Sequence, residues 1–295
     1  MTDDSQQIER RPGTKTRSFG ASNRENHDAS AFYARSLGAV EESEDTLLND
    51  APETDQIFTH TAEDMHELPG NCVALMVTSP PYHVGKDYDS DATFDEYLAM
   101  LRRVFAETYR VLEPGGRAAI NVANLGRRPY LSLSAKVVQM MEDLGYLMRG
   151  EIIWRKGKSL SGSTAWGSWM SPSNPTLRDV HEYLLVFSKG RFQRIRKGEA
   201  TIDRDEFLEA TLSVWDLQPE SANRVGHPAP FPLTLPRRCI ELYTWRDDLI
   251  LDPFIGSGST AVAALQAGRH YVGYETNPEY VAIAEKRIAE AKTPA

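Results

Sequence analysis

The stretch DLILDPFIGSGSTAVAALQAGRHYVGYE, residues 248–275, constrains the fold of this chain more than any other segment. Its first apolar run ends at Asp252 and predicts a buried strand, and a turn containing Gly256 and Gly258 leads into a predicted helix. Gly268 ends that helix, and a second predicted strand ends on Glu275. Two strands joined by one helix usually lie parallel in the same sheet, so the segment predicts an α/β fold.

The same alternation of strands and helices is predicted for the residues that precede this segment. The apolar run 71–77 is a predicted strand, and residues 94–112 repeat apolar side chains at the three-to-four spacing of a half-buried helix. Thr93 and Glu96 predict a capping box at its start, and Pro114 with two glycines predicts its end. RAAINVAN, YLMRGEIIW and VHEYLLVFSKG are further predicted strands, and LSAKVVQMMEDLG is a helix. The pattern predicts a mostly parallel sheet with helices on both faces.

The charges are distributed unevenly. The net charge is -9, and residues 1–55 hold 12 acidic and 6 basic side chains with few large apolar residues, which predicts a disordered tail. Residues 149–197 instead hold 10 basic and 3 acidic side chains. Such a segment favours contact with a polyanion such as nucleic acid, although a solvated basic surface would have the same composition.

Several other classes of protein do not fit the composition. The chain has no run of about 18 apolar residues and no apolar core in its first segment, so we expect neither a spanning helix nor a secretory signal. Cys72 and Cys239 both lie in apolar segments, as small core residues do in a reducing, cytoplasmic protein. The cysteines and scattered histidines show no spacing typical of metal ligands, so we predict no metal site.

The glycine-rich turn has the features of a nucleoside-cofactor pocket. Gly256 and Gly258 would let the backbone approach a ligand closely, and hydroxyl groups follow on Ser257, Ser259 and Thr260. Glu275 follows Gly256 by 19 positions, at a strand end where a carboxylate can accept hydrogen bonds from both ribose hydroxyls. The Gly-Lys-Ser/Thr pattern that cradles phosphates is missing, which disfavours ATP and GTP, and Ala261 replaces the third glycine of the dinucleotide fingerprint. S-adenosylmethionine, which has no phosphate, suits this shorter turn; an ordinary tight turn is the alternative.

The sequences TSPPY and DPFIGSGST together resemble the motifs of the DNA amino-methyltransferases. The catalytic motif precedes the cofactor motif, which is similar to the permuted order of the beta class. The resemblance covers residues 56–290 and implies a Rossmann-like, S-adenosyl-L-methionine-dependent fold with a seven-stranded sheet and an inserted recognition region. We therefore predict a catalytic half at 56–154, a recognition insert at 155–224 and a cofactor-binding half at 225–295.

The chemistry of amino methylation explains the residue types in the TSPPY motif. The ring withdraws the lone pair of an exocyclic amine, so hydrogen-bond acceptors at both amino hydrogens would favour a nucleophilic nitrogen. We predict that the Ser79 side chain and the Pro80 carbonyl are these acceptors, held in place by Pro80 and Pro81. Tyr82 would stack on a base extruded from the duplex. The Pro-Cys pair expected for methylation of a ring carbon is missing, because Cys72 follows Asn71 and Cys239 follows Arg238.

The resemblance implies further contacts. Asp64 matches the carboxylate that bonds the cofactor adenine, Phe254 would pack on the cofactor, and Tyr183 would lie near the flipped base. The segment 227–238 looks like the one that covers the methionine end of the cofactor, with Phe231 in it, and Asp252 begins the cofactor motif. The predicted DNA contacts are the basic residues Arg155, Lys156, Lys158, Lys189, Arg191, Arg194, Arg196 and Lys197, with phosphate as the main partner. For Asp64, Phe254 and Tyr183 an ordinary structural role is an open alternative.

The target is the exocyclic amine of either cytosine or adenine. A serine in SPPY is similar to the subgroup that methylates cytosine at N4, whereas the adenine-N6 enzymes more often carry Asp or Asn there. We therefore predict N4 of cytosine in duplex DNA, with adenine N6 as the alternative. A non-catalytic DNA-binding relative and an RNA methyltransferase are further alternatives. A restriction endonuclease would be a functional partner, and we expect a monomer or a weak homodimer.

Overall fold

A mixed eight-stranded sheet organises the chain in the computed structural model, which describes residues 42–81, 93–124, 126–127, 129–156, 171–175, 177, 179–219 and 232–292. Its strands are β1 (Gln56–Phe58), β2 (Val73–Thr78), β3 (Leu112–Val122), β6 (Tyr146–Arg155), β7 (His181–Lys189), β8 (Val214–Asp216), β9 (Leu249–Asp252) and β10 (His270–Tyr274). A separate ribbon pairs β4 (Gly126–Arg127) with β5 (Tyr130–Leu131).

The strand order places the ends of distant segments side by side. It runs β1-β10-β9-β2-β3-β7-β6-β8, and the strands from β1 to β3 are parallel. Strand β7 is antiparallel to both β3 and β6. The carboxyl ends of β1, β10, β9, β2, β3 and β6 therefore share one edge with the first residues of β7. We call this the carboxyl edge, and the opposite one the amino edge.

Helices cover both faces of the sheet. They are α1 (Phe94–Val111), α2 (Leu133–Asp143), α3 (Arg204–Ala210), α4 (Thr234–Tyr243), α5 (Ser259–Gln266) and α6 (Pro278–Lys292). The apolar stripes of α1 and α2 pack in one core, and α4, α5 and α6 contribute to the core on the other face. Helix α1 begins with the predicted capping box of Thr93 and Glu96. The α/β prediction is confirmed, with eight strands in the main sheet where seven were expected.

Two predicted boundaries differ from the structure. Residues 43–55 of the predicted tail belong to the same compact unit as the sheet, because backbone bonds fasten them: Ser43 N–H donates to the Gly190 carbonyl at 2.7 Å and Asp55 N–H to the Tyr271 carbonyl at 2.7 Å. The predicted insert 155–224 contains β7, which lies between β3 and β6 in the sheet. The described part of this insert is therefore an integral part of the sheet and not a separate module. Residues 1–41 lie outside the described residues.

The predicted roles of the cysteines and the membrane prediction can be compared with this fold. Cys72 and Cys239 are buried free thiols, and burial raises their pKa values to about 11 and about 12. They fill the core as predicted. None of the described helices is long and apolar enough to cross a membrane.

Lys189, predicted to contact DNA, is instead a buried core residue. Its ammonium donates to Asn71 Oδ1 at 2.5 Å, to the Leu112 carbonyl at 2.8 Å and to the Arg110 carbonyl at 3.1 Å. Burial lowers the pKa of Lys189 to about 8. The prediction was wrong because the last residue of β7 points its amine at the amino ends of β2 and β3, where it satisfies buried acceptors.

We expect Lys189→Ala to lower the free energy of unfolding by about 2–4 kcal/mol, since it removes three hydrogen bonds, two of them to the buried acceptors on Asn71 and Leu112. Lys197→Ala removes an exposed basic side chain from the same segment and should change stability by less than about 0.5 kcal/mol. Urea denaturation of both variants checks this. Equal stabilities would show that the amine of Lys189 does not hold the strand ends.

Candidate active site at the carboxyl edge

One buried carboxylate joins three elements at the carboxyl edge. Asp252 is the last residue of β9 and is 1% exposed. Its Oδ1 accepts a hydrogen bond from the Thr78 hydroxyl at 2.6 Å, and its Oδ2 accepts one from the Thr260 hydroxyl at 2.6 Å. Thr78 ends β2 and Thr260 lies in the first turn of α5. Asp252 therefore sets the position of the catalytic motif relative to the glycine-rich turn.

The glycine-rich turn needs its glycines for conformation and space. Gly256 and Gly258 both have positive φ, at 48° and 82°. A Cβ on Gly258 would also lie 2.9 Å from Cβ of Ala284 on α6, so a side chain there would displace that helix. The backbone therefore packs closely at the start of α5, where the first N–H groups of a helix have no partner within it.

The serines of the turn have a different role from the predicted one. Ser257 and Ser259 are 4% exposed, and Arg287 of α6 donates to both hydroxyl oxygens, at 3.0 Å and 3.3 Å. The same arginine bonds the Ser257 carbonyl at 2.5 Å. These hydroxyls thus bind the turn to α6, and Thr260 binds it to Asp252. The N–H group of Gly258 donates to the Ile255 carbonyl at 2.8 Å, so this amide too is used inside the turn.

Glu275 lies beside this turn, as the sequence predicted. It follows β10, and its side chain accepts hydrogen bonds from the N–H groups of Gly256 at 3.1 Å and Asn277 at 2.8 Å. Glu275 is only partly buried, and its own N–H donates to the Phe58 carbonyl at 3.1 Å. Because each carboxylate oxygen can accept two bonds, Glu275 retains acceptor capacity for the hydroxyl groups of a ligand.

Ser79 lies directly after Thr78, next to the anchored carboxylate. Ser79 and Pro81 are partly exposed and Pro80 is buried. The Asn121 side-chain amide approaches the Ser79 hydroxyl oxygen at 3.4 Å. Tyr82, the last residue of the predicted catalytic motif, lies outside the described residues. The described part of the motif is thus a short, stiff segment with a hydroxyl group at the edge of the sheet.

A buried polar network behind Ser79 was not predicted. The Asn121 amide also donates to Glu182 Oε2 at 2.6 Å, and the other Glu182 oxygen pairs with the Lys156 ammonium. Asn121 is 1% exposed and Glu182 is 7% exposed. The sequence held one signal for this network, a glutamate within the apolar strand HEYLLVF, because a carboxylate is rarely buried without partners. The pairing of Glu182 with Asn121 depends on strand register.

Other predicted site residues occupy distinct positions. Tyr183 faces Val122 across the β3–β7 ladder at the carboxyl edge, and its ring packs edge-on against His181 at 5.0 Å. Phe254 is partly buried and packs against the core, and its contact with the cofactor stays a prediction. The Asp64 side chain is 72% exposed and lies 3.4 Å from His66 Nδ1. Phe231 lies outside the described residues.

The predicted DNA contacts divide between two edges. Arg155 and Lys156, at the end of β6, lie at the carboxyl edge, and Arg155 forms a bidentate pair with Asp216. Strand β7 has nine residues and is therefore about 30 Å long, and it ends at the amino edge. The basic residues that follow it in sequence lie at that edge. The basic residues placed there, away from Ser79, are Lys189, Arg191, Arg194, Arg196 and Lys197. Lys158 lies outside the described residues.

Several of these amino-edge residues have partners within the chain. Arg194 is 9% exposed, pairs with Glu113 and lies 2.6 Å from Asp248 Oδ2, so like Lys189 it is an internal residue and not the predicted DNA contact. Arg191 bonds the Asp45 carbonyl at 3.4 Å, and Arg196 pairs at 3.2 Å with Asp50, whose side chain is 91% exposed. A cavity of about 830 Å³ lies here, and Arg194, Arg196 and Lys197 are among its lining residues. For Arg191, Arg196 and Lys197 the contact with DNA stays a prediction, at the edge opposite Ser79.

The described arrangement defines a class of enzyme. A glycine-rich turn with a neighbouring carboxylate at the carboxyl ends of β9 and β10 is suited to a nucleoside cofactor. The residues fit such a group, because Glu275 is partly exposed beside the turn and retains free acceptor sites. Ser79 lies on the adjacent strand, where a second molecule could react with that cofactor. The site is therefore that of a group transferase with a nucleoside cofactor.

Comparison with known proteins identifies the family. Residues 73–286 match the family described as DNA methylase. The Type II methyltransferase M.MthZI of Methanothermobacter thermautotrophicus is 30% identical over 274 residues, which cover 80% of this chain and 77% of the relative. The Type II methyltransferase M.BglI of Bacillus subtilis is 26% identical over 291 residues, covering 73% and 80%.

Solved structures agree with this result. The Thermus thermophilus protein TTHA0409, complexed with S-adenosyl-L-methionine, has a TM-score of 0.66 and 28% identity and covers 80% of this chain and 93% of that one. The PvuII DNA methyltransferase (cytosine-N4-specific) has a TM-score of 0.63 at 20% identity, over 81% and 91%, and shows the fold alone. The chain belongs to the DNA methylase family, as an amino-methyltransferase of the beta order that uses S-adenosyl-L-methionine. The predicted family, fold class and cofactor are confirmed.

The buried Asp252 predicts an unusual dependence of stability on pH. Burial raises its pKa from the ordinary 3.8 to about 6, so the folded protein holds a proton there that the unfolded chain releases. A carboxyl group with a raised pKa lowers stability as it ionises, here by about 3 kcal/mol as the pH rises from about 4 to 6.5. Relative to wild type, Asp252→Asn should therefore become more stable by about this amount over that range.

Urea denaturation at pH 4, 5, 6 and 7 measures this difference. Gln218→Ala is the control, because it removes an exposed, uncharged side chain and should give a difference that is nearly independent of pH. A pH-independent difference for Asp252→Asn as well would contradict the raised pKa.

Proposed function

We propose that this protein methylates the N4 amine of cytosine in duplex DNA. The observation that carries the proposal is Ser79 at the end of β2, with its hydroxyl oxygen 3.4 Å from the buried Asn121 amide. The family includes enzymes for both exocyclic amines, and a serine at this position resembles the cytosine-directed subgroup. M.MthZI and M.BglI are both Type II methyltransferases, so we further propose a role in restriction–modification. In such a system methylation of the DNA would block cleavage by a partner endonuclease.

The site residues have a defined task in this reaction. The bound cofactor would supply a methyl group on a positively charged sulfur. The amine nitrogen would form a bond to the methyl carbon as the carbon–sulfur bond breaks, the sulfur would leave as a neutral thioether, and the nitrogen would lose one proton to solvent. The Ser79 hydroxyl and the Pro80 carbonyl accept the two amino hydrogens, which favours a nitrogen whose lone pair can attack. Because prolines restrict the backbone at Pro80 and Pro81, these acceptors need little reorganisation when the base arrives. No residue has to form a covalent intermediate.

Asn121 acts as a positioning residue. Its amide donates towards the Ser79 oxygen and, at 2.6 Å, to Glu182, so it holds the serine in relation to a fixed carboxylate. Lys156 compensates the charge of that carboxylate. In a buried setting each of these bonds is stronger than in water, and the loss of one member leaves the others unsatisfied. The network thus restricts the direction in which the Ser79 lone pairs point.

The cofactor would be held at the turn and at the end of β10. The backbone amides at the start of α5 and the free acceptor sites of Glu275 would bind it, and Asp252 would fix the turn. Glu275 would accept from the ribose hydroxyls, Asp64 would bond the adenine amine and Phe254 would pack nearby. Tyr82 and Tyr183 would contact the extruded base.

Labelled cofactor and duplex DNA, followed by digestion to nucleosides, test the proposed base. We expect labelled N4-methylcytosine. Labelled N6-methyladenine would show that adenine is the target base, and the protein would still be a DNA amino-methyltransferase. Transfer to transfer RNA in preference to duplex DNA would overturn the substrate, and no transfer to either would favour a non-catalytic DNA-binding protein. Ser79→Ala is the matched variant and should abolish most of the labelling.

We expect Asn121→Ala to lower kcat about 10–100-fold, because the Ser79 hydroxyl loses the amide that orients it. The Kd for the cofactor should change little, because the cofactor pocket is not altered. Glu275→Gln should give the opposite pattern, with weaker cofactor binding and DNA binding retained. Single-turnover kinetics and calorimetric titration of cofactor separate the two effects. If Asn121→Ala lowers cofactor affinity as much as kcat, its role is general stability and not the positioning of Ser79.

DNA binding should depend on charges at the carboxyl edge. The double variant Arg155→Gln with Asp216→Asn removes one ion pair without changing the net charge. If Arg155 meets a phosphate, the slope of log K against log salt should fall by about 1. Lys197→Gln, at the amino edge, should leave the slope unchanged. A drop for Lys197→Gln alone would place the DNA on the opposite edge.

A further inference from the structure

Two histidines and a glutamate meet just beyond the end of β1, beside the proposed cofactor site. His60 Nε2 lies 2.7 Å from Glu67 Oε1, and His66 Nε2 lies 3.3 Å from the same oxygen. The two imidazole rings are nearly parallel, at 15°, with centroids 5.6 Å apart. One ligand atom from each residue lies within 4.8 Å of the other two. We propose that His60, His66 and Glu67 bind a divalent transition-metal ion.

The separations suit a metal of the zinc type. Zinc binds histidine nitrogen and carboxylate oxygen at about 2.0–2.2 Å, so neighbouring ligands of a tetrahedral ion lie about 3.4 Å apart. The distance from His66 Nε2 to Glu67 Oε1 is already close to this value. The distance from His60 Nε2 to the same oxygen would have to increase by about 0.7 Å. Two imidazoles and one carboxylate are donors that favour zinc and its neighbours in the first transition row over magnesium.

The far side of each ligand is held by another group. His60 Nδ1 lies 3.0 Å from the Thr61 carbonyl, and His66 Nδ1 lies 3.4 Å from Asp64 Oδ2. Glu67 Oε2 accepts a hydrogen bond from the Tyr274 hydroxyl at 3.1 Å. Metal-binding histidines and carboxylates in proteins commonly have such partners, which fix their orientation and the tautomer of the ring.

Two ligand atoms of the cluster face each other directly. His60 Nε2 lies 2.7 Å from Glu67 Oε1, and the other ring nitrogen, Nδ1, lies 3.0 Å from the Thr61 carbonyl. A metal ion bound between Nε2 and Oε1 would take the place of the proton in this contact. The side chains of His60 and His66 are 35% and 67% exposed, so an ion can enter from solvent.

The cluster lies close to the proposed cofactor site. Tyr274, which bonds Glu67, immediately precedes Glu275, and the Phe58 carbonyl accepts the Glu275 N–H. A bound ion would therefore fasten residues 60–67 to the end of β10. The ion is assigned no step of methyl transfer, and the proposal does not depend on which base is methylated.

Zinc binding to the tag-free, chelator-treated full chain tests this inference. We expect wild type to bind zinc saturably, and magnesium should not compete with zinc. His66→Gln and Glu67→Gln should each weaken zinc binding at least about tenfold. His66 is exposed, so its variant should fold even if Glu67→Gln does not. His270→Gln is the matched control, because His270 pairs with Asp55 at 2.9 Å and has no third candidate ligand among the described residues.

A thermal scan gives a second measurement that does not depend on activity. Saturating zinc should raise the Tm of wild type by about 5–10 °C, and of His270→Gln equally, but not that of His66→Gln. The proposal is overturned if zinc does not bind, in which case a proton occupies the contact between His60 and Glu67. Equal affinity in His66→Gln, Glu67→Gln and wild type would also overturn it.

Discussion

The paired hydrogen bonds of Asp252 are the interaction on which the candidate site depends. A carboxylate that is 1% exposed needs partners, and Thr78 and Thr260 supply them from segments far apart in the chain. One oxygen therefore faces the strand that leads to Ser79, and the other faces the helix that begins at the glycine-rich turn. Together with the direct pairing of β2 and β9, this side chain fixes the distance between the Ser79 motif and the glycine-rich turn.

The antiparallel strand β7 determines which charged residues can serve the site. It begins at the carboxyl edge with Glu182 and Tyr183 and ends at the amino edge with Lys189. Residues at its first end can therefore support Ser79, whereas the basic residues that follow its last end form ion pairs with Glu113, Asp248 and Asp50. One change of strand direction divides a continuous basic segment into a catalytic-edge part and a structural part.

The network of Asn121, Glu182 and Lys156 gives the edge its rigidity. A serine hydroxyl rotates freely in water, and a catalytic acceptor is effective only when its direction is set before the substrate binds. At Ser79 the prolines restrict the backbone and the buried Asn121 amide restricts the side chain. On the cofactor side Arg287 and Glu275 perform the corresponding task for the turn. The two halves of the site are therefore both held by buried polar groups.

The sequence by itself predicted the central strands β2, β3, β6, β7, β9 and β10, the helices α1, α2 and α5, the cap at Thr93, the turn at Gly256 and the position of Glu275, because periodicity and turn chemistry are local properties. It also identified the Ser79 motif. Only the tertiary structure decided that Lys189 and Arg194 are internal, that Asn121 meets Glu182, and that His60, His66 and Glu67 converge. These facts depend on strand direction, register and the path of turns, which bring together atoms whose separation in sequence carries no information about their distance in space.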